Sequence, residues 1–367
     1  MSEVAAPAAI SGGMKWKLRI SAVVWFLLGA AFLLAVPVLF DVSPLVPLGV
    51  AVVALILAFP GAWLVRRLFA GQRRQGFVWS FVKAALALLF VLSIALAAPI
   101  YFLALYAEFR PLTVPRATLS DGKKTVVFQG MMHIGSEPFY KGVIYDLEKA
   151  LADGYVVYYE GVRGDPEGDK WFSDTLAGGG DLSANYQLIG GICGLKFQLD
   201  YFQLLAADMK EHPERHVSAD VSTADMMREY ERLMKEDPVF AAAMRSKSAA
   251  EPSSDKSGGM AGLVGFLKGG SPEFQRLAGT MCRGYMSMVL QNKSAPDEMD
   301  KVILDFRNRA LADRIIADTH QLIYATYGAE HLNGLLTDLK AKDPAWEIKS
   351  VSWQRTIDTP QDVTGEL

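Results

Sequence analysis

The chain has 367 residues, 37 Lys and Arg against 40 Asp and Glu, and two cysteines. The length allows one or two domains, and a net charge of −3 leaves no basic stripe of the kind a nucleic-acid partner requires. Cys193 and Cys282 form no C-x-x-C spacing, which excludes a zinc ribbon and a thioredoxin-type site; a disulfide between them is open if the domain lies in an oxidising compartment.

The first third is apolar. Ile20–Phe40, Leu45–Val65 and Trp79–Tyr106 each reach the length of about 20 residues that a spanning helix needs. Three transmembrane helices in the lipid bilayer are therefore expected. A signal peptide is the competing reading of the first run, but no convincing A-x-A-like cleavage site follows it. The turn DVSPLVP between the first two runs carries no Lys or Arg and reads as a tight helical hairpin. Lys15, Lys17 and Arg19 precede the first run, and Arg66, Arg67, Arg73 and Arg74 lie between the second and third. Basic residues mark the cytoplasmic side. The expectation is a cytoplasmic tail over 1–19 and a multi-pass protein of the cell (inner) membrane, with everything after Arg110 extracytoplasmic. The spans carry no Asp, Glu or His to mark an ion pathway, so they read as an anchor.

After RPLTVPRATLSDGKK the pattern becomes globular, and the domain is placed at 117–356. TVVFQG reads as a strand. Ser136 is a candidate cap for a helix from Glu137 to Leu151 with the apolar stripe Phe139, Val143, Ile144, Leu147, Leu151. YVVYYEG is the next strand, so the two should be parallel with a right-handed crossover. FQLDYFQLLAADMKEHPE reads as a helix, RHVSAD as a strand ending at Asp220, and VSTADMMREYERLMKED as a helix. The Ser/Gly-rich stretch 246–271 reads as a flexible insertion. Two helices follow, then the strand LIYATYG, the helix HLNGLLTDLKAK and the last strand WEIKSVSWQR. The tail 357–367 is expected to be disordered. The fold class is α/β, a largely parallel or mixed sheet flanked by helices, built around two β–GxxH–α–β units.

Those two units carry the chemistry. Gly130 and His133 follow the first strand, and Gly328 and His331 follow LIYATYG. A strand ending in a tight turn delivers side chains to the carboxyl edge of a sheet, where open α/β folds bind ligands. Parallel strands place His133 and Glu160 at the same edge. Two His and one carboxylate, here His133, Glu160 and His331, form a common ligand set for a divalent ion with open positions. Arg307 or Arg309 is a candidate to stabilise an oxyanion or orient Glu160, Arg163 to support Glu160 from behind. Asp220 reads as a ligand, an orienter or the cap of the next helix. His212, His216 and His320 read as structural.

The order GMMH, strand-end Glu160, a helix with Arg307-Asn308, then GAEH resembles the TraB/PrgY/GumN/Tiki group over residues 124–356, the insertion excepted. FQLDYFQ followed by VSAD resembles a bacterial branch of it. Met131 stands where the group often has Thr or Ser, and the three spans precede the domain, whereas some eukaryotic members carry their anchor after it. The resemblance implies an α/β domain related to erythromycin-esterase and ChaN-like proteins and metal-dependent peptide hydrolysis. His133, Glu160 and His331 would be the metal or catalytic residues and Arg307 the matching arginine. The expected activity is thus an outward-facing peptidase or other hydrolase of peptides or protein termini, using Mn, Co or Zn, with Glu160, Arg307 and Asp220 as catalytic candidates. Two alternatives stand beside it: a module binding haem or a signal peptide without turnover, and a structural membrane protein with a degenerate site.

Overall fold

The protein is described here by a computed structural model covering residues 11–68, 76–176, 182–249, 269–292 and 297–359. Its described residues divide into a helical unit, within 1–104 with 271–277, and an α/β unit, within 105–270 with 278–360.

Three helices of the apolar third, α1 (Gly12–Phe40), α2 (Leu45–Leu68) and α3 (Phe77–Phe109), are long and apolar enough to cross a membrane. α1 starts earlier than the expected span. The Ser11 hydroxyl caps it by accepting from the Met14 N–H at 3.3 Å, and Lys15, Lys17 and Arg19 are helical. Arg73 and Arg74 lie outside the described residues. α1 and α3 approach closely at Gly29, where a Cβ would stand 2.6 Å from the Phe90 ring, the use small residues have between apolar helices.

The α/β unit contains strands β1 (Leu112–Ser120), β2 (Thr125–Met131), β3 (Ile134–Gly135), β4 (Val156–Tyr159), β5 (Lys196–Phe197), β6 (His216–Ser218), β7 (Leu322–Gly328) and β8 (Glu347–Ile357). Its described helices include α4 (Glu137–Ala152), α5 (Pro166–Thr175), α6 (Leu182–Cys193), α7 (Gln198–Phe202), α8 (Ala206–Glu211), α9 (Thr223–Glu236), α10 (Pro238–Ala249), α11 (Pro272–Gln291, in this unit from Ala278 onward), α12 (Phe306–Ala317) and α13 (His331–Lys342). Six strands form one mixed sheet in the order β6-β4-β7-β2-β1-β8. β6, β4, β7 and β2 are mutually parallel, and β1 runs against both β2 and β8. β2 and β4 are therefore parallel, as the crossover argument requires, with β7 seated between them.

Helices cover both faces. The expected stripe of α4 packs with Val114, Val157 and Tyr324. Leu311, Ala312 and Ile315 of α12 and Leu332, Leu335 and Leu339 of α13 pack on the other face against Leu119, Phe128, Tyr158 and Ala325. Burying one such side chain fully is worth about 1.5–3 kcal/mol, so this double cover fixes the sheet that carries the site.

Several local expectations change. The lead-in to the domain is a strand, β1. Its Pro115 argues against a strand inside a sheet, but the β1–β2 ladder runs only from Arg116↔Gln129 to Ser120↔Thr125. Pro115 thus loses no bond to β2. His133 lies in the bend between β2 and β3, and α4 begins only after β3. Ser136 occupies the cap position of α4 without a capping bond from its side chain. The helix expected over FQLDYFQLLAADMKEHPE breaks into α7, a tight turn and α8, and His212, before Pro213, leaves helical geometry with φ −131 and ψ 57, as residues before proline do. The expected insertion lies outside the described residues over 250–268, and 246–249 close α10. Of the expected tail, Ile357 belongs to β8, and 360–367 lie outside the described residues. Cys193 and Cys282 form a disulfide with a Cα–Cα distance of 5.0 Å.

Gly130 is required by a close approach. A Cβ there would stand 2.7 Å from the Pro115 carbonyl oxygen and 3.2 Å from the Ala329 Cβ. Gly130→Ala should lower the stability of the domain by about 1–3 kcal/mol through overpacking. Gly142→Ala in α4, where nothing lies within 4 Å, should be neutral or stabilise by about 0.5–1 kcal/mol. Chemical denaturation of the two variants side by side checks both.

Candidate functional site

Four neighbouring parallel strands end at one edge, and each carboxyl end supplies a candidate residue. Asp220 follows β6, Glu160 follows β4, His331 follows β7, and His133 follows β2. The Glu160 N–H donates to the Thr326 carbonyl at 2.9 Å, which extends the β4–β7 ladder to the residue that matters. The fifth member, Arg307, comes from α12. It lies just after a widened turn, Lys301–Asp305, in which the Phe306 N–H bonds back to the Lys301 carbonyl. Such π-type turns often occur at functional sites.

Arg307 is buried, with 6% of its side chain exposed. Its Nε donates to Asp220 Oδ1 at 3.0 Å, and its Nη2 donates to Asp220 Oδ2 at 2.6 Å and to Glu160 Oε1 at 2.5 Å. Asp220 is buried further, with 1% of its side chain exposed. It also accepts from the backbone N–H groups of Val221 and Gly161. It is therefore an orienter of Arg307, and the cap of α9 is Ser222, reciprocally bonded with Asp225.

Glu160 Oε2 accepts from the Gly328 N–H at 2.5 Å. His331 Nε2 stands 3.7 Å from Glu160 Oε1. Burial alone would raise the Glu160 pKa; the adjacent His331 ring, the charge of Arg307 and the Gly328 N–H outweigh it and hold the carboxyl well below the usual range. Arg307 is desolvated too, but the hydrogen bond and charge of Asp220 together with the charge of Glu160 push its pKa up. Both shifts say that Glu160 and Arg307 are ionised at neutral pH.

His331 is buried, its Nδ1 lies 2.8 Å from Asn308 Oδ1, and its ring meets Tyr327 edge-on with centroids 5.6 Å apart. His133 is in different surroundings. Its ring stacks on Tyr186 of α6 at 4.4 Å between centroids, and Gln198 Nε2 lies 3.0 Å from its Nδ1. The ring is exposed yet crowded by these neighbours. Desolvation lowers its pKa, opposed by Glu160 and aided by Arg307. The Tyr186 hydroxyl is pushed up by burial and then by Glu160.

Glu160, Asp220 and Arg307 thus share one bonded network, His331 stands 3.7 Å from Glu160, and His133 feels the charges of Glu160 and Arg307 from beside it. Among the described residues, no three His, Cys, Asp or Glu side chains are grouped to hold a metal ion. Arg309 points elsewhere and pairs with Glu229 at 3.0 Å. Arg163 joins Val221 and Thr223 through its backbone. His212, His216 and His320 each pair with a nearby carboxylate, Glu214, Asp208 and Asp318, which fits their structural reading. Tyr186, Gln198 and Gly334 escape sequence reasoning. Asn308 is visible only as part of the Arg307-Asn308 pair. No protein-family model matches the chain, and comparison with curated proteins and with solved structures found no match.

The depressed Glu160 pKa has a definite sign. The group contributes stability that is fully present above its ordinary value of 4.5 and is lost as pH falls through its lower folded value. Denaturation between neutral pH and pH about 3 should show this loss, and Glu160→Gln should flatten that part of the acid limb. Asp220→Ala should cost about 3–5 kcal/mol at neutral pH, because it strips a buried guanidinium of its bidentate partner.

Proposed function

We propose that this chain is a membrane-anchored, outward-facing metal-dependent hydrolase of the TraB/PrgY/GumN/Tiki group, a peptidase acting on peptides or protein termini. The observation that carries the reading is the meeting of Glu160 and His331 at one sheet edge, with His133 beside them and Arg307 and Asp220 behind.

The donor chemistry fits a divalent ion. His331 Nε2 and Glu160 Oε1 are 3.7 Å apart, a separation that two ligands with bonds of about 2.0–2.2 Å can span across one ion. His133 would complete the set through Nε2. That requires Gln198 to present its amide carbonyl to Nδ1, so that Nδ1 carries the proton, an amide rotation that exchanges acceptor for donor. Two imidazoles and a carboxylate suit Zn, Mn or Co. When bound, such an ion supplies an activated water and polarises a carbonyl.

The chain's own residues supply the rest. Arg307 keeps Glu160 ionised and fixed in place. A carboxylate held that far below its usual pKa is a poor general base, so Glu160 serves as ligand and electrostatic anchor. Desolvation in its crowded surroundings lowers the His133 pKa, which keeps the ring nitrogen that would serve as a ligand unprotonated. Tyr186 walls the His133 side of the site through its stack on that ring.

Outward placement of the domain follows the basic residues Lys15, Lys17, Arg19, Arg66 and Arg67 and gains support from the Cys193–Cys282 disulfide, since such bonds persist in oxidising compartments. A second reading, a ligand-binding module without turnover, is favoured by one observation. Both Glu160 oxygens are already engaged, by Arg307 and by the Gly328 N–H.

His133→Ala and His331→Ala should each abolish cleavage of a peptide library and the uptake of Mn, Co or Zn, with the circular dichroism unchanged. Metal content measured in the assayed samples checks this. Full cleavage in either variant would remove the hydrolase reading and leave the binding module. A reporter fused after Leu367 that works only outside the cytoplasm should be active; activity of a cytoplasm-only reporter there would reverse the orientation.

A further inference from the structure

His331 has two ring nitrogens, and only one of them faces Glu160. The other, Nδ1, lies 2.8 Å from Asn308 Oδ1. An amide oxygen only accepts, so this contact requires the proton on Nδ1 and leaves Nε2 of the neutral ring as a lone pair. Asn308 is itself 2% exposed and follows Arg307 directly on α12, so the helix that balances Glu160 also reaches His331. What holds the amide in that pose is a missing side chain. A Cβ on Gly334, on α13 just past His331, would stand 2.1 Å from Asn308 Nδ2 and 2.9 Å from its Cγ. The Asn308 amide fills the space that glycine leaves, with Nδ2 against Gly334 and Oδ1 against His331.

We propose that Asn308 is a positioning residue that locks His331 in the Nδ1–H tautomer and aims its Nε2 lone pair at Glu160, and that Gly334 exists to admit the Asn308 amide. What the lone pair is used for rests on the hydrolase reading; the tautomer rests on the placement of Asn308 Oδ1 against Nδ1. Neighbours of this kind, which hold one imidazole nitrogen so that the other is presented, set ring orientation and ligand basicity, and their loss typically costs about 10–100-fold in metal affinity.

The full chain in detergent micelles, labelled with ¹⁵N-histidine and free of metal, tests this by long-range ¹H–¹⁵N correlation at neutral pH, with the His331 signals identified by their loss in His331→Gln. The expected spectrum has a protonated Nδ1 and an unprotonated Nε2. Asn308→Asp, whose carboxylate also accepts from Nδ1–H, should keep that pattern. Asn308→Ala should mix the tautomers, and Gly334→Ala should do the same without altering either partner of the bond. If Asn308→Ala does not fold, the Asp and Gly334 variants carry the test. A wild-type ring protonated at Nε2, or an unchanged Nδ1–H pattern in Gly334→Ala and in a folded Asn308→Ala, overturns the proposal. Peptide cleavage measured on the same wild-type sample separates the two claims: the expected tautomer without cleavage upholds the positioning role and fails the hydrolase reading.

Discussion

The site depends on one buried cation. Arg307 is a desolvated guanidinium whose charge is balanced by Asp220 and Glu160, and none of the three is tolerable alone at that depth. Removing charge from water costs several kcal/mol per ion, recovered only when geometry and hydrogen bonding are good. Here the Arg–Asp contact is bidentate, the strong form of this bond, and backbone N–H groups of Gly161, Val221 and Gly328 occupy further carboxylate lone pairs. The network pins the ends of β4 and β6 to α12, which lies across one face of the sheet.

From that constraint the chemical character of the edge follows. Glu160 is ionised whatever the pH in the physiological range, so it presents a permanent negative charge. Arg307, fully engaged, is a holder of that charge more than a free reagent for a developing one. The two histidines differ in kind despite their matching motifs. His331 is enclosed, bonded to Asn308 and edge-on to Tyr327. His133 stands at the open side against Tyr186 and Gln198. Sequence symmetry between the two Gly-x-x-His copies therefore does not extend to their environments.

The glycines of the motifs also differ in purpose. Gly130 makes room for the β1 backbone at Pro115, whereas a Cβ at Gly328 would meet Glu160 Oε2 at 3.3 Å and His331 at 3.4 Å. One glycine serves the packing of the sheet, the other the closeness of the site itself. The disulfide acts in the same region. It ties Cys193 at the end of α6, the helix carrying Tyr186, to α11, and Arg283 of α11 bonds the Cys193 and Gly194 carbonyls. The wall beside His133 is thereby fastened to a part of the chain distant in sequence.

Much was legible in the residues. The three apolar helices, strands β2, β4 and β7, the α4 stripe and the carboxyl-edge placement of His133, Glu160 and His331 follow from hydrophobic period and from the parallel crossover, which are local properties. β1 was hidden by Pro115, because only the sheet shows that its ladder with β2 starts one residue later. The break between α7 and α8, and the elements from α5 to β5, lacked a clear period. Whether Asp220 caps a helix or holds Arg307 could not be read, since both uses suit an Asp before a helix. Tyr186, Gln198 and the space Gly334 leaves for Asn308 belong to long-range packing. The sequence by itself determined which strand ends carry polar groups, because alternation and turn residues are encoded along the chain. Only the tertiary structure decided which of those groups touch, because contact between residues separated by tens to hundreds of positions depends on strand order and on how α12 and α13 lie on the sheet.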